Sequence, residues 1–256
     1  MPKGISQLSS LRTLRSGCFP LSMEENEFLS VKDVGNLINL EEILFCLQDV
    51  RALRSVEDGI LDHLVKMRFL AVQNNIPATE GDTGESSLPS FSKKMNVMKD
   101  LQQLQLDCFS VPSWICGMEN LTDLCLVKCS DYPALQKMPN LNSLILDGDL
   151  KCRELPKNFG ERGGFPKLAR LQIEDFPLLE ELPALEEGAM PRLELLLIKN
   201  CPLVKRVPEG LERLRRLKVI AVAGEASGEL EERLKEGGED WNKIKANNPR
   251  TEIFFS

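Results

Sequence analysis

The residues able to do acid–base or covalent chemistry in this 256-residue chain are few and poorly arranged for it. His63, in "DGILDHLVKM", is the only histidine. A Ser-His-Asp or Cys-His relay would have to pass through it, yet no Gly-x-Ser-x-Gly accompanies it and no second histidine completes a zinc-binding HExxH. His63 therefore reads as a solvated or helix-end side chain. Glu180-Glu181 and Glu186-Glu187 flank "LPAL", a pattern that suits a solvated acidic face better than an acid and its base. Cysteines stand at 18, 46, 108, 116, 125, 129, 152 and 201 without paired CxxC spacing, so they read as small apolar residues in a reducing compartment. Cys125 is expected to face outward and Cys129 inward, which argues against a shared metal or disulfide. Nothing matches GxxxxGK[ST], so the phosphate-cradling loop is absent; no cofactor, metal or enzymatic activity is expected.

Composition narrows the partners. Lys and Arg number 32 against 39 Asp and Glu, a net charge of −7, which argues against a nucleic acid or an anionic membrane as main partner. A basic cluster at Arg206, Arg213, Arg215, Arg216 and Lys218 lacks the interleaved aromatics of a nucleic-acid site. The start, "MPKGISQLSSL", lacks an apolar core of signal-peptide length, and no apolar stretch approaches the roughly 18 residues of a membrane span. The chain is accordingly expected in the cytoplasm or nucleus.

What must position any functional residue is a repeat. "MENLTDLCLVKC" (Met118 to Cys129) overlays "MPNLNSLILDGD" (Met138 to Asp149), giving the template apolar, two residues, Leu, two residues, Leu, one residue, Leu. It recurs with third positions at 14, 43, 70, 104, 124, 144, 171, 196 and 220, hence with steps of 29, 27, 34, 20, 20, 27, 25 and 24. Most of these fall within or near the roughly 20 to 29 residues of a leucine-rich repeat. Three residues beyond each final apolar position, Asn75, Cys129 and Cys201 fit the template's bend. Phe19, Phe109 and Phe176 at the same place suggest a spine filled by aromatics.

Because strand side chains alternate, each L-x-L should be a short parallel strand with its Leu pair inward. Val111-Pro112, Leu155-Pro156, Leu182-Pro183 and Val207-Pro208 mark returns with irregular turns or short helix starts. The expected fold is thus an α/β leucine-rich-repeat solenoid, a horseshoe with a parallel concave sheet and an irregular or short-helical convex side. Its boundaries are 1–226 for about nine repeats, with an acidic Gly/Ser-rich loop insertion near 77–90, and 227–256 for a C-terminal helical cap. In that cap Leu230 and Leu234, then Trp241 and Ile244 beyond Gly237-Gly238, can lay apolar edges on the last repeat. "EIFF" after Pro249 reads as a final strand. No comparable cap precedes Leu8, which suggests a partner domain there or a fragment of a longer receptor.

Several phrases resemble one family in order along the chain: "MPKGISQLSSLRTL", "VGNLINLEE", "VPSWICGMENLTDLCLVKC", "MPNLNSLILDG", "CPLVKRVPEGLERLRRLKVI" and "GEDWNKI". The chain resembles the C-terminal leucine-rich-repeat region of plant coiled-coil nucleotide-binding (NB-ARC) disease resistance proteins. That resemblance implies a non-enzymatic sensor or autoinhibitory region. It implies partners such as a pathogen effector, a host protein that pathogens modify, or a nucleotide-binding domain in cis or trans. An intracellular leucine-rich scaffold unrelated to pathogens is the alternative.

The outward residues of the strands are the candidate protein-binding surface. They include Leu44, Phe69, Gln73, Gln103, Gln105 and Asp107, then Asp123, Ile145, Asp147, Arg170, Gln172, Glu174, Leu195 and Leu197. Apolar members supply desolvation and polar neighbours set specificity.

Overall fold

The computed structural model describes residues 8–14, 20–22, 29–30, 36–47, 66–74, 99–107, 111, 113–129, 132–148 and 151–256. His63, Asn75, Phe19, Phe109 and the 77–90 run lie outside these residues, as does the side chain of Gln73. The chain divides into two compact units, Met1–Leu121 and Thr122–Ser256.

The first unit contains β1 (Thr13–Leu14), β2 (Pro20–Ser22), β3 (Leu29–Ser30), β4 (Glu42–Leu47), β5 (Phe69–Asn74) and β6 (Gln103–Asp107). The template strands pair in parallel and in register, with Leu14 against Ile43, Ile43 against Leu70 and Leu70 against Leu104. The short β2 and β3, which the template does not foresee, pair with each other, and β2 also pairs with the end of β4. Leu8 departs from its expected inward place and is 50% exposed.

The second unit contains β7 (Asp123–Val127), β8 (Ser143–Asp147), β9 (Arg170–Glu174), β10 (Leu195–Cys201), β11 (Val219–Ala226) and β12 (Glu252–Phe255). Each pairs in parallel with the next, so Leu124, Leu144, Leu171, Leu196, Ile220 and Ile253 form one row. The template's first spacing of three is a turn: Leu168 N–H donates to Phe165 O at 3.2 Å, Leu193 to Met190 at 3.0 Å and Leu217 to Leu214 at 3.0 Å. Successive repeats are then stitched at the strand start. The Ala169 carbonyl, for example, accepts from both Glu194 N–H at 2.8 Å and Leu195 N–H at 3.0 Å. Every backbone group so paired is one that would be costly to bury alone.

Strand exits share a feature the sequence pattern did not reveal. Lys128, Gly148, Asp175, Asn200 and Gly224, each just before the bend position, have φ of 56°, 58°, 58°, 52° and 65°. This left-handed conformation swings the chain off the sheet, and Gly, Asn and Asp tolerate it best. Behind it Cys129, Phe176 and Cys201 are buried. The returns carry 3-10 turns at Leu135–Lys137, Lys157–Gly160 and Leu211–Arg213. Two of these start where Pro156 and Pro208 accept from Phe159 N–H at 3.0 Å and Leu211 N–H at 3.2 Å. In the first unit a 3-10 turn, Ser113–Gly117, follows Val111, whereas the Leu182-Pro183 return has none. Between sheet and returns, Phe159 meets Tyr132 and Phe165 edge-on, with ring centroids 5.8 and 5.3 Å apart. Such pairs contribute beyond the area they bury.

Past β11 the chain forms α1 (Gly228–Leu234) and α2 (Glu239–Asn247). Leu230, Leu234 and Ile244 are buried, while Trp241 is half-buried. Two buried polar side chains tie this segment to the last return. Thr251 Oγ1 donates to Leu217 O at 2.7 Å, and Asn248 Nδ2 donates to Glu212 O at 2.8 Å. Arg233 clamps the helix pair, with Nε and Nη2 3.0 and 2.8 Å from the buried Asp240 carboxylate.

Candidate functional site

In-register pairing turns the outward residues of the second unit into columns. The third residue of each strand gives Cys125, Ile145, Gln172, Leu197, Ala221 and Phe254. This column is mostly apolar. Its members are half-buried except Phe254, which is 50% exposed. Leu195 and Val219 adjoin it from the first position of β10 and β11. The first position also carries Asp123, Ser143, Arg170 and Glu252, and the fifth carries Val127, Asp147, Glu174, Lys199 and Ala223.

The structure thus brings Asp123, Ile145, Asp147, Arg170, Gln172, Glu174, Leu195 and Leu197 onto one face of this unit. Ser143, on the same register, is sunk to 6% exposure. In the first unit Leu44, Phe69 and Gln105 are half-buried and Gln103 is exposed. Two residues there differ from an open face. Ala71, between Leu44 and Gln105 in register, is too short to reach solvent, and Asp107 is only 8% exposed and held by interactions within the chain. Asp107 is therefore withdrawn from the set of accessible contacts.

Charge is divided across the second unit's face. At the strand ends, burial and then the neighbouring Asp175 and Glu174 carboxylates push the Asp147 carboxyl upward. Lys199 offsets part of this, lying 3.0 Å from Glu174, whose hydrogen bond in turn raises the Lys199 ammonium. Asn200 Nδ2 holds Asp175 Oδ1 at 2.6 Å. At the strand starts the hydrogen bond from Lys218, 2.7 Å away, and then the Lys218 and Arg216 charges lower the Glu194 carboxyl.

Burial, followed by Asp147 and Glu174, pushes the Cys125 thiol up to about 12, and burial pushes Cys201 up to about 11. Thiols held protonated are poor nucleophiles and poor metal ligands. Both belong to the free cysteines, with Cys116, Cys129 and Cys152. Among the described residues no three His, Cys, Asp or Glu side chains converge as a metal site. No described helix is long and apolar enough to cross a membrane.

The expected basic cluster is largely paired within the chain. Arg206 lies 3.2 Å from Glu181, Arg213 3.5 Å from Glu212 and Lys218 2.7 Å from Glu194, which leaves Arg215 and Arg216 without an ion pair among the described residues. Half of the acidic return is paired, Glu180 lying 3.0 Å from Arg153 and Glu181 beside Arg206, while Glu186 accepts from Arg162 N–H at 3.0 Å. Phe254 was missed as a surface residue. The alternation of "EIFF" signals it, since an inward Ile253 puts Phe254 outward.

Parallel template strands, one per repeat in the second unit, with an inward aliphatic ladder and short irregular returns, define a leucine-rich-repeat protein. The chain belongs to the leucine-rich repeat region family, whose model matches residues 1–252. Its curated relatives include several plant disease resistance proteins. It is 28% identical over 278 residues to Disease resistance protein RPP8 of Arabidopsis thaliana, covering 95% of this chain and 28% of that protein. It is 40% identical over 161 residues to Probable disease resistance protein RDL5 of the same plant, covering 62% of this chain and 15% of that protein. The resemblance read from the sequence phrases is thereby borne out, and the chain spans less than a third of the length of RPP8.

Among solved structures, a leucine-rich repeat protein of Leptospira interrogans superposes with a TM-score of 0.61 at 19% identity, over 98% of this chain and 62% of that one. The leucine-rich repeat domain of the type III effector XopL gives 0.60 at 18%, over 95% and 75%. Those likenesses establish the fold alone.

Proposed function

We propose that this chain is a non-enzymatic protein-recognition module of plant innate immunity. It binds a pathogen effector or an effector-modified host protein through the outward face of its strands, or restrains a nucleotide-binding switch domain in cis or trans. Its place of action is the cytoplasm or nucleus, and it uses no cofactor of its own. The observation that carries this reading is the mostly apolar column Ile145, Gln172, Leu197, Ala221 and Phe254, set among Arg170, Glu174 and Lys199. An apolar centre inside a charged rim is what a protein interface requires. The relatives named as disease resistance proteins supply the biological setting.

The test is affinity capture of the tagged chain from plant extracts, with and without infection, beside a Leu197→Asp/Phe254→Ala variant of unchanged circular dichroism. A partner gained on infection and lost in the variant is the outcome expected of direct sensing. A constant partner carrying a nucleotide-binding domain, also lost in the variant, marks restraint of a switch. Equal capture by both forms would refute the assignment of this face.

A further inference from the structure

Charged groups before and after the strands of the second unit are largely sorted by sign along the strand axis. At the strand starts stand Arg170, Arg192, Arg215 and Arg216, all exposed and without an ion pair among the described residues. Arg192 and Arg216 occupy the same place in successive turns, three residues before the first strand residue. Lys218 adds to this rim, offset by its partner Glu194. Glu252 and Asp123 are the other acids there. At the strand ends stand Asp147, Glu174 and Asp175, with Lys199 on Glu174 and Lys128 as the opposing cations. The lesser causes of two perturbed carboxyls agree with this sorting: Asp147 is raised by burial and then by Asp175 and Glu174, and Glu194 is lowered by its hydrogen bond from Lys218 and then by the Lys218 and Arg216 charges.

From this arrangement we infer that the occupant of the face is a bipolar segment of a partner protein lying along the strand direction. Its acidic end sits on the Arg170/Arg192/Arg216 rim, its apolar centre on Ile145, Leu197, Ala221 and Phe254, and its basic end on the Asp147/Glu174/Asp175 rim. The inference rests on the recognition face proposed above and specifies its partner. From the first to the fifth strand residue is about 13 Å at ~3.3 Å per residue. An extended segment spans that with about four apolar residues, and a helix at ~1.5 Å per residue with about nine. A uniformly acidic or basic ligand would meet repulsion at one rim, which is how rim charges reject wrong partners.

The test is fluorescence anisotropy with two labelled synthetic peptides of identical composition. One has an acidic block, an apolar centre and a basic block; the other has the same residues with charges scrambled. The bipolar peptide is expected to bind the whole chain about tenfold tighter, an advantage that shrinks at high salt. Reversing one rim, by Arg192→Glu with Arg216→Glu or by Asp147→Lys with Asp175→Lys, should remove that advantage. Reversing both rims together should restore it, because the peptide can turn end for end.

Equal binding of the two peptides, binding of neither, or no recovery in the doubly reversed protein would overturn the inference. The peptide comparison needs no variant, so a misfolded reversal does not decide the matter. Leu197→Asp separates the two levels. If it abolishes binding of both peptides while they bind equally to the parent chain, the face stands and only its polarity falls. If the bipolar peptide still binds the Leu197→Asp protein, the face itself is wrong.

Discussion

On β7 to β11 the inward residues Leu124, Leu144, Leu171, Leu196 and Ile220 are no more than 6% exposed. Their neighbours one residue along, Cys125, Ile145, Gln172, Leu197 and Ala221, are all half-buried and chemically mixed. The backbone and pairing are the same for both sets; only the direction of the side chain differs. Inward positions accept one kind of residue because each must fill space between a sheet and its returns. Outward positions are released from that demand, which leaves them free to serve recognition.

The widest gap between the two faces should appear on truncation. Leu196→Ala should destabilise by about 3 kcal/mol, as buried leucine truncations do, whereas Leu197→Ala next to it should cost under ~1 kcal/mol. Urea denaturation of the two variants measures the difference, and equal losses would break the comparison. Gly210→Ala comes next. Gly210 has φ of 90°, and a Cβ there would run into the Leu185 backbone carbonyl. A loss of about 2 to 3 kcal/mol is expected from the left-handed penalty plus the clash, readable as a fall in Tm.

Arg233→Ala should cost about 2 kcal/mol, since it strands the 7%-exposed Asp240 carboxylate while Arg233 itself retains 23% exposure. Hydrogen exchange should report the loss chiefly in α1 and α2.

Titration of the outward thiol has no effect on stability at neutral pH and shows itself only in alkali and in its reactivity. With Cys125 raised from 9.0 to about 12, its protonated form is favoured in the folded state. Its contribution to stability is therefore complete below pH ~9 and is lost as the pH climbs from there to ~12. At pH ~8 the folded chain should react with iodoacetamide at Cys125 far more slowly than the urea-unfolded chain does.

Much of the fold was legible because a leucine pair repeated along a chain has one economical burial. The third template positions from 14 to 220 all lie in strands, and the i, i+4 pair Leu230 and Leu234 is buried as its spacing required. The left-handed exits were not legible. Lys128 is no favoured residue there, and only Gly148, Asn200, Asp175 and Gly224 read together reveal the pattern. The Tyr132–Phe159–Phe165 cluster was hidden because its members come from returns of unequal length.

For the candidate site, alternation identified the outward residues. It could not show that Asp107 and Ser143 are withdrawn, since depth depends on the neighbouring strands' side chains. Nor could it show that Arg206, Arg213 and Lys218 are neutralised by acids from other turns or adjacent positions.

The most direct test of the claim that the two faces divide scaffold from recognition is hydroxyl-radical footprinting of the chain with and without its captured partner. The account expects protection of Ile145, Leu197 and Phe254, with Tyr132, Phe159 and the exposed Leu203 of the return unchanged. Protection confined to Leu203 and the cap helices, with Leu197 and Phe254 oxidised as in the free chain, would contradict it.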